Sequence, residues 1–142
     1  MLTLVLYSRK GSATRGVWKV ADFGLTVEAT SKQLHTTRSS KGTSSYRAPE
    51  LVREHGPGTF NNKVDIWALG CIIFEIVFRK KAFSSDFAVY QYAGTNGECF
   101  KIPDTTAMSI DLTLVSEVIK DLLAIDPSDR PSAQALVKVL KR

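Results

Sequence analysis

The sequence predicts a mainly α-helical domain that begins with a short β-hairpin. Its longest apolar run, "IWALGCIIFEIVF" at 66–78, is broken by one glutamate, and 112–125 place apolar residues on one helical stripe. Near the start, two short apolar runs, 2–7 and 17–20, flank a stretch rich in Gly, Ser and basic residues. A chain of 142 residues with 44% hydrophobic residues is enough for one packed core.

The apolar run at 66–78 predicts the central helix of the domain. Asp65 precedes the run, and Asp is a preferred N-cap residue, so we expect the helix to open there. A helix that is apolar on nearly every side is expected to be buried. Six apolar residues recur at helical spacing and three more cover the other faces: Ile66, Leu69, Ile72, Ile73, Ile76 and Val77, with Trp67, Cys71 and Phe74.

Three further helices are predicted towards the C-terminus. The segment "SSDFAVYQYAG" is the weaker one, and 112–125 form a well-patterned amphipathic helix. That helix should end before Pro127, since proline disfavours helical geometry at the preceding Asp126. A last helix should follow Ser132, which is a suitable N-cap residue.

The region between the hairpin and the central helix is predicted to be mostly loop. From Gly24 to Arg47 there is no sustained apolar period and Ser and Thr are abundant, which is typical of a long functional or disordered loop. The segment "PELVREH" can form one or two helical turns, which Gly56, Pro57 and Gly58 should stop.

Charge is concentrated in the first third of the chain. Residues 1–47 hold eight Lys or Arg against two acids, whereas the remainder carries eleven basic and twelve acidic residues. These basic residues are scattered singly among Ser and Thr with few aromatics, so we expect a solvated or phosphate-facing loop rather than nucleic-acid binding.

The remaining bulk features indicate an intracellular, cytoplasmic location. Only Cys71 and Cys99 are present, and Cys71 falls inside an apolar helical run, so a disulfide framework is not expected. No signal peptide is predicted, because the basic residues follow the first apolar run instead of preceding it. The run at 66–78 is too short to cross a membrane, and no membrane association is expected.

Four sequence blocks carry the functional information. They are "DFG" at 22–24, "GTSSYRAPE" at 42–50, "VDIWALG" at 64–70 and "DPSDRPSA" at 126–133. Alone, an Asp after a strand is more often a turn former than a metal ligand. Together, in this order and spacing, the blocks resemble the C-terminal lobe of eukaryotic serine/threonine protein kinases over nearly all of 16–140.

The resemblance implies a fold, a domain organisation and an activity. The fold is the helical C-terminal lobe of a protein kinase-like fold, with the N-terminal lobe absent. Residues 1–142 then form one partial kinase domain, with an activation segment at 22–50 and a helical subdomain at 51–142. The family activity is ATP-dependent phosphoryl transfer to Ser or Thr of a protein substrate.

The resemblance also assigns ligands of the nucleotide site and sites of regulation. Asp22 corresponds to the magnesium-binding aspartate, Phe23 to the aromatic whose packing reports the active state, and Gly24 to the glycine that follows. Candidate phosphorylation sites are Ser39, Ser40 and Thr37, although these hydroxyls are equally compatible with a solvated loop. ATP and Mg²⁺ are the implied cofactors.

Four further residues receive roles from the resemblance. Thr43 corresponds to the threonine beside the catalytic base and the substrate hydroxyl, which favours Ser/Thr substrates. Glu50 corresponds to a buried glutamate that pairs with the arginine at Arg130. Asp65 corresponds to an aspartate that caps the central helix and bonds to the catalytic-loop backbone.

The parts of a kinase that this sequence lacks leave its enzymatic status open. It contains no Gly-rich loop, no nucleotide-binding lysine and no "HRD" base, since both histidines follow "DFG". We therefore expect the chain alone to be inactive and to bind ATP very weakly. It is either part of a longer kinase or a pseudokinase-like interaction module that contacts an acidic protein through Arg38, Lys41 and Arg47.

Overall fold

A computed structural model describes residues 4–8, 17–21, 35–37, 43–52, 58–103 and 112–140. Two short β-ribbons accompany four α-helices, so the predicted mainly α architecture with an N-terminal hairpin is confirmed. In chain order the elements are β1 (Leu4–Ser8), β2 (Val17–Ala21), β3 (His35–Thr37), a 3₁₀ turn (Pro49–Leu51), β4 (Gly58–Phe60), α1 (Lys63–Phe78), α2 (Asp86–Gly94), α3 (Thr113–Leu122) and α4 (Ala133–Leu140).

The predicted N-terminal hairpin is formed by β1 and β2. The two strands are antiparallel, with Leu4 opposite Ala21 and Ser8 opposite Val17. Both strands are rich in β-branched and aromatic residues, which suit a pleated surface. The second strand ends at Ala21, so Asp22 is the next residue along the chain and lies outside the described residues.

A second antiparallel ribbon corrects two of the sequence-based predictions. Strand β3 lies within the region predicted to be loop, and β4 begins at Gly58, where a helix stop was predicted. His35 is opposite Phe60, and Thr37 is opposite Gly58. Strands of three residues are too short to show an alternating sequence pattern. Each of these strands forms only by pairing with the other strand, which lies more than twenty residues away in the chain.

The N-cap of α1 lies three residues earlier than the sequence predicts, so the assignment of Asp65 as its N-cap is wrong. Asn62 is the N-cap, and the Lys63 N–H donates to the Asn61 side-chain oxygen at 3.0 Å. The Asp65 N–H donates to the Asn62 carbonyl at 3.2 Å, so Asp65 already lies inside the first turn of the helix. Asp65 is therefore the third helical residue, where a carboxylate still interacts favourably with the helix dipole.

Helix α1 packs at the centre of the described structure through one broad face. Trp67, Cys71 and Phe74 are at most 2% exposed, as expected for a central helix. Ile76 is 52% exposed, so the described residues leave one side of this apolar helix open. Burial also raises the pKa of the Cys71 thiol to about 12, which makes it a poor nucleophile.

Aromatic side chains from α1, α2 and the loops beside them form the largest part of the core. Trp67 stacks on Phe83 with ring centroids 5.3 Å apart, and Tyr92 meets Trp67 edge-on at 5.7 Å. Phe100 extends the cluster at 5.3 Å from Phe83. The buried Tyr92 hydroxyl donates to the Leu123 carbonyl at 2.8 Å, so the cluster also fixes the end of α3.

The last two helices follow the sequence pattern closely. Ile119, Leu122 and Leu123 are fully buried, as the predicted stripe requires. Ser132 caps α4, because its hydroxyl accepts from the Ala135 N–H at 3.1 Å. Within the described part of the chain, no helix combines the length and apolar character needed to cross a membrane.

Helices α1 and α3 pack closely against each other at Gly70. A Cβ atom at this position would lie 2.8 Å from Leu122 Cβ and 2.9 Å from Leu123 Cδ2. Both neighbours are fully buried, so neither can move aside without disturbing the core. The contact between the two helices therefore depends on the missing side chain.

We expect Gly70→Ala to lower the free energy of unfolding by about 1 to 3 kcal/mol, because the added methyl overpacks this contact. Urea denaturation followed by circular dichroism measures the change. Gly94→Ala is the matched control, since a Cβ atom there meets nothing within 4 Å at the end of α2. Equal losses in the two variants would contradict the close approach of α1 and α3.

Candidate functional site

The candidate site is built on the segment Thr43–Val52, which contains most of the "GTSSYRAPE" block. The structure describes Thr43, Glu50, Asp65 and Arg130 among the predicted site residues. Thr37 lies in β3, where only its backbone is described. The other predicted residues, Asp22, Phe23, Gly24, Ser39 and Ser40, lie outside the described residues.

The C-terminal end of this segment is a 3₁₀ turn that presents Glu50 to the interior. Pro49 occupies the first position of the turn, where a missing N–H costs nothing. The Leu51 N–H donates to the Ala48 carbonyl at 2.9 Å, and Ala48 is fully buried. Glu50 is 6% exposed and therefore requires a partner for its charge.

Arg130 is that partner, as the resemblance implies. Its Nη1 and Nη2 donate to Oε1 and Oε2 of Glu50 at 2.7 and 2.8 Å, which is a bidentate ion pair. The arginine is 1% exposed, and the two residues are 80 positions apart in the chain.

The remaining N–H groups of the Arg130 guanidinium are also used. Nε donates to the Ala124 carbonyl at 2.7 Å, while Nη1 and Nη2 donate to the Lys63 and Ile125 carbonyls at 3.1 and 3.0 Å. All five donors of the guanidinium are thus bonded. One side chain joins the 3₁₀ turn, the start of α1 and the loop after α3.

Two further contacts complete the surroundings of Arg130. The Lys63 ammonium donates to the Arg130 carbonyl. The guanidinium carbon lies 5.1 Å from the centre of the Trp67 ring, within cation–π distance. Trp67 thus belongs to the core, as expected, and also borders the ion pair.

The N-terminal end of the segment is held by two side-chain hydrogen bonds. The Ser45 hydroxyl donates to the Ser84 carbonyl at 3.0 Å, and Ser45 adopts a left-handed backbone with φ of 78°. The Tyr46 hydroxyl donates to Glu75 Oε2 at 2.5 Å. Left-handed backbone at a residue other than glycine persists where the surroundings hold it, and here the 4% exposed Ser45 is enclosed.

The environment of Tyr46 changes its acidity. Partial burial, followed by the hydrogen bond and the negative charge of Glu75, raises the pKa of the Tyr46 phenol to about 12. The phenol is therefore neutral at physiological pH and remains a hydrogen-bond donor to Glu75.

Arg47 forms an ion pair with Asp86 at the start of α2. This contact bears on the hypothesis that Arg38, Lys41 and Arg47 together bind an acidic partner, because the Arg47 charge is already compensated within the chain. Arg38 and Lys41 lie outside the described residues.

The hydroxyls that remain accessible in the segment are those of Thr43 and Ser44, both of which are exposed. Among the described residues, no group of three or more His, Cys, Asp or Glu side chains is arranged to hold a metal ion.

Sequence reasoning identified the Glu50–Arg130 pair but not the contacts of Ser45, Tyr46 and Arg47. All three lie inside the quoted block, yet their partners Ser84, Glu75 and Asp86 are 29 to 39 residues away. A single sequence contains no periodic signal for such pairs. The predicted bond of Asp65 to a catalytic-loop backbone stays a prediction.

We expect Arg130→Met to lower the free energy of unfolding by about 3 to 5 kcal/mol, because it leaves the buried Glu50 carboxylate unpaired. Lys120→Met removes an exposed cation from α3 and should change stability by no more than about 0.5 kcal/mol. The double variant Glu50→Leu with Arg130→Met should be more stable than Arg130→Met alone. Strictly additive losses in urea denaturation would show that the two side chains do not interact.

We expect Tyr46→Phe to flatten the alkaline loss of stability. The folded state raises the pKa of Tyr46 from 10.0 to about 12, so its stabilising contribution is complete below pH 10 and is lost as the pH rises towards 12. The free energy of unfolding, measured at several pH values from 9 to 12, should therefore fall less steeply in the variant. Identical slopes would contradict the half-buried hydrogen bond to Glu75, because Cys71 titrates in both proteins and cannot account for a difference.

Comparison with known proteins agrees with this geometry. The family model for the protein kinase domain matches residues 5–140. Mitogen-activated protein kinase kinase kinase mkh1 of Cytospora mali is 32% identical over 124 residues, 86% of this chain and 7% of that protein.

Two animal proteins are similar to a comparable degree. Serine/threonine-protein kinase Nek5 of Mus musculus is 32% identical over 123 residues, 86% of this chain and 18% of that protein. Serine/threonine-protein kinase plk-2 of Caenorhabditis elegans is 30% identical over 120 residues, 84% of this chain and 17% of that protein. The chain spans less than a fifth of each relative's length. The 142-residue chain therefore belongs to the eukaryotic protein kinase family.

Proposed function

We propose that this chain supplies the activation segment and the substrate-binding helices of a serine/threonine protein kinase. The observation that carries the proposal is the double anchoring of Thr43–Val52. At one end Glu50 is bound by Arg130, whose guanidinium donors are all used. At the other end Tyr46 is bound by Glu75. A segment held at both ends can present a fixed backbone to a peptide.

The substrate in this proposal is a protein Ser or Thr hydroxyl. Thr43 is exposed at the accessible end of the anchored segment, and its carbonyl accepts from the Tyr46 N–H at 3.3 Å. This turn connects the exposed Thr43 to the half-buried Tyr46, which supports the substrate-facing role that the resemblance assigns to Thr43. The relatives named as serine/threonine kinases support the same substrate class.

ATP and Mg²⁺ are the proposed cofactors, as in the family generally. Asp22 directly follows the end of β2, and a carboxylate at the end of a strand is chemically suited to Mg²⁺, which binds through one or two carboxylates and phosphate oxygens. The chain would contribute this one ligand, next to Phe23 and Gly24. Bound Mg²⁺ would neutralise charge on the transferred phosphoryl group.

Regulation is proposed through phosphorylation of Ser39, with Ser40 and Thr37 as neighbouring candidates. A phosphate on this stretch would add nearly two negative charges to a basic part of the chain. The activation segment at 22–50 would then be ordered by new charge-assisted hydrogen bonds.

The 142 residues by themselves should transfer no phosphate, because they contain neither a catalytic base nor a nucleotide-binding lysine. A pseudokinase-like interaction module remains the second function proposed for the chain. The Arg47–Asp86 pair reduces the basic surface for that role to Arg38 and Lys41.

The decisive experiment compares the chain alone with a fusion. The fusion joins residues 4–142, which keep the β1–β2 hairpin, behind the N-terminal kinase lobe and catalytic loop of the mouse relative. Labelled phosphate incorporation into a Ser/Thr substrate is measured with Mg²⁺ and ATP. We expect no transfer by the chain alone and clear transfer by the fusion. Asp22→Asn should lower the rate at least about 100-fold, since it removes a charge that acts on the transition state.

Asp129→Asn is the matched control, because Asp129 is an exposed acid in the loop before α4. Circular dichroism establishes that each fusion is folded before its rate is compared. Transfer by the chain alone, or a folded fusion that is inactive or indifferent to Asp22→Asn, would overturn the proposed function.

A further inference from the structure

Three consecutive basic residues form an exposed patch at the C-terminal end of α1. The basic patch consists of Arg79, Lys80 and Lys81, all exposed, and Arg79 is the left-handed C-cap residue with φ of 57°. Among the described residues, no carboxylate lies within salt-bridge distance of any of the three. Their charges are therefore available to a partner.

The basic patch lies beside the anchored segment. The Lys81 ammonium is 5.7 Å from the centre of the Tyr46 ring, and Ser84, three residues further on, accepts the hydrogen bond from Ser45. The loop that carries the patch thus packs against the same turn that exposes Thr43. A peptide lying on that turn would come close to the Lys81 ammonium, and charges there act over a screening length of about 8 to 10 Å at physiological salt.

Of the two acidic residues described close to this turn, only Asp86 is compensated by a cation. Glu75 accepts the hydrogen bond from Tyr46, and Asp86 pairs with Arg47. Among the described residues, the three cations of the basic patch therefore outnumber the one nearby carboxylate that has no cation as its partner, that of Glu75. Such a surface attracts carboxylates and repels basic peptides.

We propose that the basic patch selects acidic peptides, so that the preferred substrate carries Asp or Glu residues next to its Ser or Thr. This inference rests on the proposed function, because it takes Thr43 to face the substrate. The occupant is an extended acidic segment of a protein. It is favoured over nucleic acid because the patch is short, contains no interleaved aromatic residue and adjoins the peptide-facing turn.

A purely structural role for these residues has a different signature. Basic side chains in or after the last turn of a helix interact favourably with its carbonyl ends. That role would appear as a loss of stability when the charges are reversed, with no change in peptide selectivity.

The test measures peptide binding by the 142-residue chain, with fluorescence anisotropy at low salt. The probes are two labelled peptides that differ only in having Asp and Glu or Lys and Arg on either side of one serine. We expect the acidic peptide to bind at least about tenfold more tightly, because three exposed charges act together. The triple variant Arg79→Glu, Lys80→Glu and Lys81→Glu should lose or reverse this preference.

The matched control is the triple variant Lys101→Glu, Lys120→Glu and Lys138→Glu. It changes the net charge equally, at exposed lysines in the loop after α2 and on α3 and α4, and should keep the preference. Equal losses in both variants would mean that net charge alone acts, and this outcome overturns the proposal. Equal binding of both peptides, or tighter binding of a short duplex DNA than of the acidic peptide, overturns it as well.

The peptide-binding experiment and the phosphate-transfer experiment can contradict the two proposals separately. If the fusion is active and is slowed by Asp22→Asn, but the 142-residue chain shows no preference for the acidic peptide, only the basic-patch proposal is contradicted. If the chain prefers the acidic peptide but the folded fusion is inactive, only the proposed kinase activity is contradicted.

Discussion

The described structure depends above all on the guanidinium of Arg130. Burying a charged arginine is costly unless its donors are bonded, and here all five N–H groups are used. Two go to Glu50, and three go to carbonyls at the start of α1 and after α3. The ion pair adds directional requirements that apolar packing lacks, so the 3₁₀ turn can occupy only one position on the helices.

The anchored segment takes its shape from two kinds of contact. At Glu50 the bonds are buried and charged, whereas at Tyr46 a neutral phenol meets a carboxylate in a half-buried setting. The aromatic cluster around Trp67 supports both, because Phe83 immediately precedes the Ser84 carbonyl that binds Ser45. Core packing and the exposed turn are thus joined by one short loop.

Charge near this turn is distributed unevenly for a physical reason. The two acids on this side, Glu75 and Asp86, serve internal contacts, while no described carboxylate lies within salt-bridge distance of the cations at 79–81. Pairing with Arg47 compensates the charge of Asp86 without removing it from the sequence, whereas Glu75 keeps its charge beside the neutral Tyr46 phenol. Net charge by itself would not reveal this asymmetry, because 48–142 are nearly neutral in sum.

The sequence by itself determined the N-terminal hairpin, the four helices, the Ser132 cap and the Glu50–Arg130 pair. Periodicity and capping are local properties, and the pair follows from motif resemblance. Tertiary structure alone decided the β3–β4 ribbon, the start of α1 before Asp65 and the partners of Tyr46. These features depend on contacts between residues far apart in the chain or on backbone geometry that other residue types could also adopt. A single sequence contains no local pattern for such contacts, because each forms only after packing of the core has brought the two residues together.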